Sequence, residues 1–134
     1  MDRLFLDANV LFSAAHQANA GLAALWRLKD VSLCTSRYAL EEARINLESE
    51  VSRRRLEELS RALPLFESTD RSLPHGISLP EKDVPILLAS IEARANYLLT
   101  GDLRHFGAYF GKTFEGVAIL PPGQYLRIRF ARRE

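Results

Sequence analysis

Leu4-Phe5-Leu6-Asp7-Ala8-Asn9 near one end of the chain and Tyr97-Leu98-Leu99-Thr100-Gly101-Asp102 towards the other repeat one arrangement. In each, a short apolar run stops at a polar segment that carries an aspartate. A continuous apolar run of this length reads as a strand buried on both faces. Val31 to Cys34, Leu65 to Ser68 and Val117 to Leu120 read as three more strands. The stretches between them are helical in pattern. Asn19 is a candidate cap for a helix to about Lys29, with Leu22, Leu25 and Trp26 on one face. Thr35 or Ser36 can cap a helical stretch from Arg37 to about Ala62, in one piece or broken, which holds no Gly or Pro and stops before Pro64. Asp83 opens a helix that reaches about Arg94. Strands alternating with helices predict a three-layer α/β/α fold with a five-stranded parallel sheet.

The remaining composition is ordinary. The 134 residues fit a single domain spanning 1–134, large enough to bury a core without disulfides. Hydrophobic residues make up 47% and charged residues 26%, as in a typical globular protein. The one cysteine, Cys34, sits in an apolar run and reads as a small core residue. A single cysteine excludes an intrachain disulfide and fits a reducing compartment. No segment approaches the roughly 20 apolar residues of a membrane span. The cytoplasm is the expected location. The formal net charge of +1 is not that of a strongly basic nucleic-acid binder. Arg127, Arg129, Arg132 and Arg133 form a local basic tail, either simply solvated or available to a polyanion.

In a doubly wound parallel sheet, ligands bind beyond the carboxyl ends of the strands. Asp7 and Asp102 both fall there. On neighbouring strands, which run about 5 Å apart, two such carboxylates repel unless a cation lies between them. Each has a structural explanation alone, Asp7 as a helix cap and Asp102 as a turn residue. Their matching positions favour a shared function. Asp83, at a helix start, is stabilised there by the helix dipole in any case. Its helix leads into the strand before Asp102, which can bring it to the same rim. Glu41 and Glu42 differ in their helical neighbours. Glu41 lies beside Arg37 and Arg44, a surface ion-pair setting, whereas Glu42 lies beside Tyr38 and Ile45 on a more apolar face. Glu42 is therefore the carboxylate expected to need an inward partner. Asn9 can orient Asp7, and Thr100 can hydrogen-bond a carboxylate from the strand end.

Four segments together resemble the motifs of the PIN domain family. They are Leu6-Asp7-Ala8-Asn9-Val10-Leu11, the run Leu40 to Leu47 around Glu42, Lys82-Asp83-Val84-Pro85-Ile86-Leu87, and Leu99-Thr100-Gly101-Asp102-Leu103-Arg104-His105-Phe106. The likeness spans nearly the whole chain, with the motifs in order. It is nearest to the PIN proteins that are toxins of bacterial or archaeal toxin–antitoxin pairs. The resemblance implies a five-stranded parallel sheet between helices, bound Mg²⁺ or Mn²⁺, and endonucleolytic cleavage of RNA. Matched by position, it places the catalytic and metal-holding acids at Asp7, Glu42, Asp83 and Asp102, with Asn9 and Thr100 as accessory groups. It also implies a homodimer and a small antitoxin partner. Ala8 stands where many members carry Thr, but Asp7 and Asn9 are kept.

An acidic centre repels RNA, so arginines are expected to hold the phosphates. Arg104 is the nearest candidate, with help from the basic tail, and His105 is a second candidate contact to substrate or a structural side chain. His16 and His75 carry no pattern. A non-catalytic PIN-fold module that binds RNA or protein is the alternative function. A haloacid-dehalogenase-like phosphohydrolase needs a second aspartate where Asn9 stands, and a receiver domain needs a lysine where Pro121 and Pro122 follow the last strand.

Overall fold

The computed structural model describes residues 1–18 and 21–132, the side chain of Arg132 apart. The expected Asn19 cap and the Arg132 and Arg133 side chains of the basic tail lie outside the described residues. The strands are β1 (Asp2–Leu6), β2 (Val31–Cys34), β3 (Tyr97–Leu99), β4 (Thr113–Phe114) and β5 (Val117–Leu120). The α-helices are α1 (Ala8–His16), α2 (Arg37–Asn46), α3 (Glu50–Ser60), α4 (Val84–Glu92), α5 (Leu103–Phe106) and α6 (Pro122–Arg132). They flank one five-stranded sheet of order β2-β1-β3-β5-β4, a PIN-like three-layer α/β/α fold.

The apolar runs form the sheet's centre because they have no polar face to show to water. Leu4, Phe5 and Leu6 of β1 and Leu98 and Leu99 of β3 are wholly buried. β1 runs parallel to β2 on one side and to β3 on the other, with Leu6 opposite Leu99. The chain thus leaves β1 in one direction to build β2 and returns to build β3 on the opposite flank. This reversal opens a crevice at the carboxyl ends of β1 and β3. Asp7 follows β1 directly, and its backbone N–H still donates to Leu99 O at 3.1 Å.

Two sequence expectations change. Leu65 to Ser68 is not a sheet strand; it makes a single parallel bridge between Leu65 and Thr35. Pro64 precedes it, and Glu67 and Ser68 give it no second apolar face to bury. The fifth place in the sheet belongs to β4, which runs antiparallel to β5. Four strands are therefore parallel and one is not. Only two residues, Glu115 and Gly116, join β4 to β5, and both have positive φ, 49° and 85°. Two consecutive left-handed residues make the tight hairpin whose twist suits an antiparallel pair, and a parallel crossover needs a dozen residues or more.

The long helical stretch after β2 is broken. α2 ends at Asn46, and Ser49 caps α3 by accepting from Ser52 N at 3.0 Å. The break lets both helices pack against α1. Cys34 is buried, and burial pushes its thiol up to about 11, which suits a core residue and not a nucleophile. Among the described residues, no helix is long and apolar enough to cross a membrane.

Candidate functional site

Asp7 is held by three donors. Its Oδ1 caps α1 by accepting from Ala8 N at 2.7 Å, while Oδ2 accepts from Thr100 Oγ1 at 2.8 Å and from Asn9 Nδ2 at 3.1 Å. The side chain is almost completely buried. Burial is the largest influence on its acidity and raises its pKa from 3.8 to about 6, against the lowering effect of Thr100 and Ala8. The negative charges of Asp83 and Glu42 add to the rise. A carboxylate that must be desolvated beside two others is costly in its ionised form.

Thr100 is the hinge of this arrangement. It is fully buried at the end of β3. Its hydroxyl donates to Asp7 and accepts from Asp102 N at 3.1 Å, so one side chain ties the ends of the two central strands together. Asn9 closes the same loop, since its Oδ1 accepts from Gly101 N at 2.7 Å. Thr100→Val keeps the shape and removes the hydroxyl. The expected result is a loss of about 1–3 kcal/mol of stability, because a buried carboxylate loses a donor and the Asp102 N–H loses its acceptor. Urea unfolding measures it.

Asp102 caps α5, with Oδ1 accepting from His105 N at 3.1 Å. Its Oδ2 lies 2.9 Å from His105 Nδ1. The same ring nitrogen stands 3.0 Å from Asp83 Oδ2. The geometry of a hydrogen bond is met only with Asp102. Asp83 Oδ2 is therefore a buried carboxylate oxygen with no donor among the described residues. Burial raises the Asp83 pKa, the positive charges of Lys82 and His105 oppose this, and Asp102 adds to the rise.

Asp83 reaches the rim from a short 3-10 turn, Glu81–Asp83, that runs into α4. Pro85 in the first turn of α4 costs no hydrogen bond there. Tyr38 on α2 donates from its hydroxyl to Lys82 O at 2.7 Å and so fixes this turn against α2. Burial, then the charges of Glu42, Asp83 and Asp7, raise the tyrosine's pKa. In the sequence Tyr38 stands out only as a helical neighbour of Glu42. A tyrosine one helical turn before an inward-facing glutamate was the only available signal.

The four acids meet. Asp7, Glu42, Asp83 and Asp102 line one cleft of about 420 Å³, together with Ala8, Asn9, Phe12, Ala43 and Asn46. No lysine or arginine lines it among the described residues. Glu41 instead points outward and pairs with Arg44 on the exposed face of α2. The choice between adjacent glutamates thus follows their helical neighbours. Arg104 is exposed on α5, two residues after Asp102. His105, one of the expected substrate contacts, turns Nδ1 to two carboxylates instead. Arg129 of the basic tail donates to Lys29 O at 2.7 Å. Lys29 precedes β2, so this guanidinium sits at the opposite edge of the sheet from the acids and does not serve the cleft.

A hard divalent cation takes oxygen ligands in the main. The cleft offers several carboxylate oxygens, and Asp83 Oδ2 is a buried one that accepts no hydrogen bond among the described residues. Asp83, Asp102 and His105 also bring one ligand atom each to within 4.8 Å of one another. The residues fit a metal ion.

No protein-family model matches the chain, and no curated protein matches it. Among solved structures, a chain of the crystal structure of VapBC2 from Rickettsia felis bound to a DNA fragment from their promoter is similar to it. The TM-score is 0.62 at 15% identity, over 89% of this chain and 98% of that one. At that identity the likeness is one of fold.

Proposed function

We propose that this chain is a metal-dependent endoribonuclease and the toxin of a type II toxin–antitoxin pair. The observation that carries the reading is the convergence of Asp7, Glu42, Asp83 and Asp102 on one cleft that no lysine or arginine lines among the described residues. The fold shared with a VapBC2 chain supports the toxin–antitoxin setting. On this reading the chain is one cytoplasmic domain, a homodimer, with RNA as substrate and a small antitoxin as partner.

Asp7, Asp83, Asp102 and Glu42 would hold Mg²⁺ or Mn²⁺. When bound, such an ion acidifies water and offsets negative charge at a phosphodiester. The chain's own residues do the rest. Thr100 and Asn9 fix both the position and the rotamer of Asp7 through hydrogen bonds to Oδ2. Preorganised oxygens need no reordering when a ligand arrives. A carboxylate of the set that is not a ligand would accept the proton of the attacking water. Arg104, exposed on α5, would meet the substrate phosphates.

The test is incubation of the purified protein with several RNAs and DNAs in Mn²⁺, Mg²⁺ or EDTA. The expected result is internal cleavage of RNA with either ion and none with EDTA. RNA bound but left intact at saturating metal would instead favour a non-catalytic binding module.

A further inference from the structure

The imidazole of His105 beside the acids is left without a role by an oxygen-only centre. His105 lies on α5 three residues after Asp102, and the Asp102 cap on the His105 backbone N–H fixes the start of that helix. The ring therefore stands beside two of the carboxylates that line the cleft, Asp102 and Asp83. Its Nδ1 stands 2.9 Å from Asp102 Oδ2 and 3.0 Å from Asp83 Oδ2. All three ligand atoms lie within 4.8 Å of one another. Adjacent ligands of an octahedral ion with bonds of about 2.1 Å are separated by about 3.0 Å. Both nitrogen–oxygen distances match such an edge. The Asp83 oxygen is buried and accepts no hydrogen bond among the described residues, so its lone pairs are open to a cation.

We infer that His105 is itself a metal ligand, supplying Nδ1 beside Asp83 Oδ2 and Asp102 Oδ2, and that the centre consequently prefers Mn²⁺ to Mg²⁺. This rests on the metal-centre reading above and adds a nitrogen donor to it. As a ligand, His105 carries its ring proton on Nε2 and leaves the Nδ1 lone pair for the ion. Mg²⁺ favours oxygen ligands and gives up its waters reluctantly. A first-row transition ion accepts imidazole more readily, so one nitrogen in the set discriminates between the two ions. A histidine that only positioned the carboxylates would hold both ions equally well.

The deciding measurement is pulsed EPR on the Mn²⁺-loaded full chain, with binding isotherms for Mn²⁺ and Mg²⁺ alongside. The expected spectrum contains ¹⁴N coupling from one directly bound imidazole. His105→Asn puts an oxygen close to the place of Nδ1 and should abolish that coupling. In this variant Mn²⁺ affinity is expected to fall about ten- to a hundredfold, with Mg²⁺ affinity little changed. Circular dichroism confirms that the variant is folded, and the wild-type spectrum decides the matter even where it is not. Mn²⁺ bound without nitrogen coupling, or an equal loss for both ions, overturns the assignment of His105 while leaving the metal centre standing. Binding of neither ion overturns both readings. Nitrogen coupling in a protein that cuts no RNA keeps His105 as a ligand and removes only the nuclease.

Discussion

Asp83→Asn is expected to lower metal-dependent RNA cleavage by about a thousandfold, roughly 4 kcal/mol of transition-state stabilisation, and to raise the melting temperature of the metal-free protein. The two effects share one cause. Asp83 Oδ2 is buried and accepts no hydrogen bond among the described residues, and Asp102 is close enough for its charge to oppose ionisation. In the absence of a cation, that charge works against the fold. Asparagine keeps the shape, removes the charge, and leaves a carbonyl oxygen to face His105 Nδ1. With a cation present, the same charge is what holds the ion. A substitution that stabilises the fold while removing activity marks a residue kept for function. Single-turnover cleavage and thermal melting in EDTA measure the pair. Undiminished cleavage in the variant would remove Asp83 from the metal set. A lower melting temperature would mean that the carboxylate is a structural anchor.

Much of this centre could be read from the chain because its parts are local. Asp7 and Asp102 each follow an apolar run, and parallel neighbours put such positions at one edge. The facing of Leu6 and Leu99 realises that placement. Glu42 was separable from Glu41 because helix geometry fixes which side chains share a face, and Arg44 draws Glu41 outward. Asp83 was harder, since an acid at a helix start has its own reason to be there. What brings it to the rim is a tertiary contact, the Tyr38 hydroxyl on Lys82 O, which has no local signature.

The contact of His105 with two acids was out of reach for the same reason. It needs the α5 turn and the Asp83 turn to meet, with 21 positions between Asp83 and His105, and no periodicity encodes that approach. The antiparallel edge failed for a different reason. β4 is two residues long, too short for any alternation, so the more apolar Leu65-Phe66 pair looked like the better strand. The signal that was present lay in the turn. Glu115-Gly116 between two short β-prone pairs is a hairpin connection, although a glutamate is an uncommon occupant of its first left-handed position.

The metal-free protein should lose stability as pH rises from about 4 to 6, and a divalent ion should restore it chiefly above that range. Asp7 carries the argument. Its pKa rises from 3.8 to about 6 in the folded chain, with burial as the main cause. Below pH 4 both folded and unfolded chains are protonated at this group, and its protonated form fits the buried position without penalty. Between the two values the unfolded chain releases a proton that the folded chain keeps. The folded state then binds more protons, so stability falls with rising pH across that window and stays low above it. The loss attributable to Asp7 is about 3 kcal/mol. The raised pKa of Asp83 acts in the same direction. Exposed carboxylates paired with arginine, such as Glu41, act in the opposite sense, so the effect is isolated by comparison with Asp7→Asn. A cation reverses the sign because it binds the ionised carboxylates and not the protonated ones, and it stabilises the fold by mass action. Melting curves at pH 4.5 and 7.5, in EDTA and in saturating Mn²⁺, give the test. The wild type should gain far more from Mn²⁺ at pH 7.5 than at pH 4.5, and Asp7→Asn should lose most of that pH dependence. Equal metal responses at both pH values would mean that the Asp7 carboxylate is not what the ion binds.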